Sequence, residues 1–158
     1  MKVENIMTTS VEFCSADDNL ATVAGSMWDH NCGALPVTDD AGRVTGIITD
    51  RDIAIAVGTR GVPASEITVG TVMSGNFTAC IFDEDVESAL TKMAQERVRR
   101  LPVVDHEGYL RGILSLDDAA AHAYNGPGRP ASSPSYEQVI EVYKAICERP
   151  LMAKAATD

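Results

Sequence analysis

Basic residues are scarce in this chain: 13 Lys and Arg stand against 23 Asp and Glu, a formal net charge of −10. Neutralising a phosphate backbone takes Lys and Arg, so no nucleic-acid partner is expected. Nor is any apolar stretch long enough to cross a bilayer, so no membrane partner is expected. The opening Met-Lys-Val-Glu-Asn holds neither an apolar run nor a cleavage-like site, so no secretion signal is expected. Four cysteines, Cys14, Cys32, Cys80 and Cys147, lack paired metal-ligand spacing; their scatter suits a reducing cytosol and a cytoplasmic location. His30, His106 and His122 have no ligand-like spacing either. With no P-loop and no nucleophile–base–orienter set, no enzyme is expected.

What is present is a repeat. Residues 3–54 and 69–120 align without a gap at one offset: Met7 and Met73, Met27 and Met93, Leu35 and Leu101, Gly46 and Gly112, Asp52 and Asp118 all stand 66 apart. One supersecondary unit is therefore used twice, and two like units can bury their apolar faces on each other. Clefts along such a seam suit small molecules.

Each copy reads the same way. A short segment ends in Ile6-Met7 or Val72-Met73, and an extended run follows (Val11 to Cys14; Phe77 to Cys80). Asp17 and Asp83 stand where a helix cap is expected. Leu20, Val23, Ala24 and Met27, like Val86, Ala89, Leu90 and Met93, then follow at i, i+3, i+4, i+7, the spacing of an amphipathic helix. A strand (34–37 or 100–103), an Asp- and Gly-containing turn, a returning strand (44–48 or 110–114) and a second helix complete the unit. The fold class expected is α/β (α+β), with two β-α-β-β-α repeats as a pseudo-two-fold pair and a C-terminal helix. Residues 1–57 form the first repeat, 58–68 a linker, 69–124 the second repeat, and 125–158 a flexible segment and the helix. Ser135 and Gln138 can make its capping box, Val139, Val142, Tyr143 and Ile146 line one face, and Arg149-Pro150 ends it. Three turns are marginal alone, so this helix must dock on its own domain or on a second subunit.

The constellation most able to bind something is Gly46-Ile47-Ile48-Thr49-Asp50-Arg51-Asp52 and its counterpart, Gly112 to Asp118. Each runs from a strand through a turn into a helix start, where free N–H groups suit phosphate. Thr49 or Ser115 adds a hydroxyl, and Asp52 or Asp118 a carboxylate suited to the hydroxyls of a ribose. The same Thr-x-x-Asp and Ser-x-x-Asp spacing also describes a capping box needing no ligand. Arg97, Arg99 and Arg100, clustered in an acidic chain, suggest a small anion or a solvated helix end. Cys14 and Cys80 read as small apolar residues in matching strands, or as a redox switch or a thiol–metal site. Trp28 can pack on the other half or on a partner subunit.

These pieces in register, Ile6-Met7-Thr8 and Val72-Met73-Ser74, the Leu-Pro-Val strands, and Gly-x-x-[Thr/Ser]-x-x-Asp twice, resemble tandem cystathionine-β-synthase-type (CBS) domains of the small stand-alone bacterial kind. The resemblance covers about three quarters of the chain and leaves residues 135–158 outside it. It implies a regulatory module, a homodimer that is often disc-shaped, an unidentified regulated protein as partner, and clefts for an adenosine-containing ligand such as AMP, ADP, ATP, NAD or S-adenosylmethionine. By that resemblance the first cleft takes Ser115 and Asp118, with Cys32, Gly33 and Ala34 beside the base. Asn5 and Thr8 close one side, and Arg99 and Arg100 meet the phosphates. The second cleft takes Thr49 and Asp52 with Thr71, Ser74, Val98 and Arg99. It has Gly33 and Ala34 where the first has Arg99 and Arg100, so it is expected to be the weaker. The alternative is a ligand-independent or redox-responsive interaction protein on the same fold.

Overall fold

A computed structural model describes residues 1–126, 130 and 133–148. The first repeat runs β1 (Cys14–Ser15), α1 (Leu20–Asp29), β2 (Ala34–Thr38), β3 (Val44–Thr49) and α2 (Asp50–Arg60). The second runs β4 (Cys80–Ile81), α3 (Val86–Glu96), β5 (Arg100–Val104), β6 (Leu110–Ser115) and α4 (Leu116–Ala121), followed by α5 (Tyr136–Cys147). Each repeat forms its own three-stranded sheet, in the order β1-β2-β3 or β4-β5-β6; the first pair of each is parallel and the second antiparallel. The doubled β-α-β-β-α unit is thus observed. Much of the stretch 125–134, read as flexible, lies outside the described residues, as do Arg149 and Pro150.

The helix starts differ from expectation. Asp17 and Asp83 do not cap α1 and α3. Asn19 caps α1, its side chain accepting from the Thr22 N–H, and Asp85 holds the N-cap position of α3 without a side-chain capping bond, its carboxylate pairing with Lys2 at 3.1 Å instead. Carboxylates just before each cap are held by the preceding turn: Asp18 accepts from the Ser15 N–H at 2.8 Å and Glu84 from the Ile81 N–H at 3.2 Å. These side-chain bonds close the turn and delay helix entry by two residues. The extended runs also shorten, because only Cys14–Ser15 and Cys80–Ile81 pair with a neighbouring strand.

The two cores do not follow the repeat boundaries. Val3 and Ile6, which open the first repeat, are buried in the core of the second with Leu90, Met93, Leu101 and Leu114. Ile67 and Val69 are buried in the first core with Leu20, Val23, Leu35 and Ile48. Backbone bonds fix this exchange: Val3 N–H donates to Glu84 O at 3.0 Å, and Val69 N–H to Asp18 O at 2.8 Å. Two reciprocal bridges, Thr8 with Ile113 and Ser74 with Ile47, then join each leading segment to the other repeat's returning strand. The seam is therefore hydrogen-bonded as well as apolar, which satisfies backbone groups a bare contact would strand.

Helix α5 docks on the second repeat. Val139, Val142 and Ile146 enter that core, and the Gln138 side-chain N–H donates to Glu87 at 3.0 Å. The expected capping box forms: Ser135 Oγ accepts from the Gln138 N–H, and the Gln138 side chain accepts from the Ser135 N–H. Tyr143 lies on the outer face instead of in the core.

Candidate functional site

β6 runs directly into α4, and Ser115 at the junction makes a complete capping box. Its Oγ accepts from the Asp118 N–H at 3.1 Å, while Asp118 Oδ2 accepts from the Ser115 N–H at 2.8 Å and its hydroxyl at 2.5 Å. Thr49 and Asp52 repeat the arrangement at 3.2, 3.0 and 2.6 Å. The cap and ligand readings turn out to be compatible. Both bonds that the Asp118 carboxylate accepts fall on Oδ2, which leaves its Oδ1 able to accept from a sugar hydroxyl. The six residues of α4 make a short helix, so its dipole adds little positive charge. That charge must come from side chains.

Arg100 supplies it. It pairs with Ser115 across the β5–β6 ladder, so both side chains stand on one face of the sheet. In the first repeat the equivalent pair is Ala34 with Thr49, which has no charge. Beside Arg100 opens a cavity of ≈ 380 Å³ along the seam. Thr8, Cys32, Gly33, Ala34, Arg100, Ser115 and Asp118 line it, so the structure brings together seven residues of the first expected cleft from both repeats. That volume lies in the range of small-molecule sites, about 300–1,000 Å³.

Two residues of that cleft stand elsewhere. Asn5 uses its side-chain oxygen to accept from the Lys2 N–H at 3.0 Å. Arg99 points to α5, its guanidinium lying 5.4 Å from the centre of the Tyr143 ring, a cation–π distance. β5 begins at Arg100, so Arg99 lies in the bend before the strand and its side chain leaves in another direction.

The second constellation is less assembled. Thr49 and Asp52 line neither this cavity nor the larger hollow between α1 and α2. Thr71 accepts from Arg60 Nη1 at 2.8 Å, and Ser74 donates its hydroxyl to Asn76 O at 3.2 Å. Val98 is exposed at the end of α3, and Arg99 again faces Tyr143.

Sequence reasoning missed Glu12, His30, Asn31 and Asp117, all of which line the cavity. His30 Nε2 and Glu12 Oε1 approach to 3.4 Å at its rim. One signal was available: Asn31, just past α1, takes φ 50°, a left-handed conformation asparagine tolerates, and it turns the chain into Cys32-Gly33-Ala34. Gly33 packs closely here, since a Cβ on it would stand 2.9 Å from Asp50 Oδ2.

The thiols divide by environment. Burial, followed by the Asp18 carboxylate, pushes Cys14 up to about 12. Burial, followed by Glu84, pushes Cys80 up to about 12 as well. A thiol so raised is not a thiolate at neutral pH and is a poor nucleophile. Cys147 is exposed and Cys32 half-buried. At pH 7.5, iodoacetamide is therefore expected to label Cys147 first and Cys32 second, sparing Cys14 and Cys80 until the chain unfolds. Intact-protein mass spectrometry with peptide mapping reads the order, and early labelling of Cys14 or Cys80 contradicts it.

Among the described residues, no helix is long and apolar enough to cross a membrane, and no group of three or more His, Cys, Asp or Glu could hold a metal ion. The CBS domain model matches residues 3–58 and 69–124. The CBS domain-containing protein YhcV of Bacillus subtilis is 37% identical over 124 residues, covering 76% of this chain and 84% of that protein. Among solved structures, hypoxic response protein I with two coordinated zinc ions superposes with a TM-score of 0.71 at 29% identity, covering 78% of this chain and 100% of the other. The CBS domain pair of protein MJ0100, in complex with 5′-methylthioadenosine and S-adenosyl-L-methionine, gives 0.70 at 26% identity, covering 77% and 94%. Two matched segments, each with its own sheet and capping box and the two joined along one seam, place this chain in the CBS domain family as a tandem pair.

Proposed function

We propose that this chain is a cytoplasmic, non-catalytic regulatory module that binds an adenosine-containing ligand in the Asp118 cleft and signals through a homodimer or a separate partner protein. The observation that carries this is the ≈ 380 Å³ cavity, where a ribose acceptor (Asp118), a guanidinium (Arg100) and a small-residue wall (Cys32 to Ala34) converge from both repeats. The related pair that binds 5′-methylthioadenosine and S-adenosylmethionine supports the ligand class.

Charge narrows the ligand. Among the described residues, Arg100 is the single guanidinium lining the cavity, which it shares with Glu12, Asp117 and Asp118, because Arg99 is turned away. A triphosphate brings several negative charges to one cation and three carboxylates. An adenosine with one phosphate, or with none, fits better than ATP or ADP.

A ligand touching both repeats stabilises the folded pair by RT ln(1 + [L]/Kd), about 2.7 kcal/mol at 100 times Kd. For a chain of this size that raises the thermal midpoint by roughly 5–10 °C. A thermal-shift screen of AMP, ADP, ATP, NAD, 5′-methylthioadenosine and S-adenosylmethionine is expected to show such a rise for AMP or a phosphate-free adenosine, and a smaller one for ATP. If AMP is the ligand, Arg100→Ala should lower its affinity roughly tenfold or more, as the loss of a charge-assisted bond does, while Arg99→Ala leaves it within about twofold. A midpoint indifferent to all six compounds sinks the reading.

The redox alternative loses its central pair, since Cys14 and Cys80 are buried and both are raised to about 12.

A further inference from the structure

α4 is short where its counterpart is long. It spans six residues, Leu116–Ala121, against eleven in α2, Asp50–Arg60. At about 3.6 residues per turn this is under two turns, too few to hold in water without packing. Its successive residues face two ways. Leu116 and Ala119, 5% and 0% exposed, enter the second repeat's core, whereas Asp117 and Asp118 line the ligand cavity.

α5 supplies the packing. It lies on both α3 and α4, and Val139, Val142 and Ile146 share one core with Leu116 and Ala119. The chain entering α5 is also fastened to the end of α4: the Tyr124 N–H donates to Pro134 O at 3.0 Å, and Ser135, the cap of α5, is buried. We propose that α5 is a positioning element for the ligand cleft. Its docking keeps α4 wound and so holds Asp118 against Ser115 at the seam, and a ligand on Asp118 in turn tightens the seat of α5. Core and cavity meet opposite sides of α4, so the coupling needs no contact between α5 and the ligand.

Linkage fixes the size of the effect in both directions. The factor by which docking raises ligand affinity is the factor by which ligand raises docking. The apparent dissociation constant grows as the inverse of the docked fraction, so a chain docked one-tenth of the time binds about tenfold more weakly. This coupling rests on the proposed Asp118 cleft and deepens it by naming the element that regulates it.

Val142 is 4% exposed and does not line the cavity, and Val142→Asp puts a charge under α5. Calorimetric titration of the full chain with AMP should show affinity lowered tenfold or more in Val142→Asp, and lowered less in Val142→Ala. Ile140→Asp adds the same charge on the outer face, where Ile140 is 53% exposed, and should leave affinity within about twofold. Hydrogen exchange read by mass spectrometry follows the path without ligand. In Val142→Asp, residues 114–123 should exchange faster together with 136–147, while 44–60 stay protected as a general loss of folding would not allow. AMP added to the parent chain should slow exchange in 136–147. Equal AMP affinity in Val142→Asp and its parent overturns the proposal, and so does an α4 that stays protected while α5 exchanges freely. Should Val142→Asp lose protection throughout, the same two comparisons are read on Val142→Ala. A parent chain that binds no AMP removes the ligand half of the coupling, and exchange in 114–123 then decides alone whether α5 holds α4.

Discussion

Asp118→Ala is expected to lower affinity for the adenosine ligand by roughly 10- to 100-fold, the loss of charged hydrogen bonds of about 1.5–3 kcal/mol. Asp52→Ala is expected to leave affinity nearly unchanged. The comparison is internally controlled. Both carboxylates close the same capping box, so each substitution sacrifices a similar stabilisation, on the order of 1 kcal/mol. Both variants should therefore melt a few degrees below the parent chain, yet only one should lose its ligand. The difference lies in what faces each carboxylate: Asp118 opens on the cavity with Arg100, whereas Asp52 does not line it. Calorimetric titration of the two variants reads the contrast, and a greater loss in Asp52→Ala would reverse the assignment of the cleft.

Gly112→Ala should cost the most stability of any single methyl addition proposed here, about 2–3 kcal/mol, in the manner of an overpacked core. A Cβ on Gly112 would stand 2.5 Å from the carbonyl oxygen of Thr8 and 3.2 Å from Met7 Sδ. The oxygen belongs to backbone held on both sides by the Thr8–Ile113 bridge, at 2.9 and 3.0 Å, so it cannot swing away as a side chain could. Gly46→Ala meets the equivalent seam at 2.9 Å from Ser74 O and should be milder. Gly25→Ala is the control of opposite sign, for nothing lies within 4 Å of its Cβ and the residue is an exposed helical position. Alanine there should stabilise by up to about 1 kcal/mol. Because Thr8 and Ile113 also line the cavity, Gly112→Ala should weaken ligand binding along with stability. Thermal denaturation of the three variants gives the order, and a Gly112→Ala chain as stable as its parent would show that the two repeats are not locked at this seam.

Much of this architecture was legible because the chain states it twice. The doubled 3.6-residue periodicity fixed α1 and α3, and the Thr49/Asp52 and Ser115/Asp118 spacing fixed where α2 and α4 begin. Other features have no sequence signature. An apolar residue says that it will be buried but not in which core, so the exchange of Val3 and Ile6 into the second repeat could not be read from pattern. Asp17 and Asp83 looked like caps because several acidic or amide residues are adjacent, and local turn bonds decided which of them served. Arg99 and Arg100 read as a pair, but only Arg100 enters β5, and the partner that takes Arg99, in the bend before it, is Tyr143 on a helix outside the repeats. Exposure was equally hidden: Trp28 follows Met27 on α1, yet Met27 is buried and Trp28 is almost wholly solvent-facing.

The proposed function depends on one carboxylate and one guanidinium, Asp118 and Arg100, meeting a ligand at the seam. A crystal structure grown with AMP tests this most directly. The prediction is a single nucleotide per chain, its ribose hydroxyls on the Asp118 carboxylate, its phosphate within reach of Arg100, and its base against Cys32 to Ala34. A nucleotide found instead beside Thr49 and Asp52, or no nucleotide at a concentration that saturates binding in solution, would contradict it.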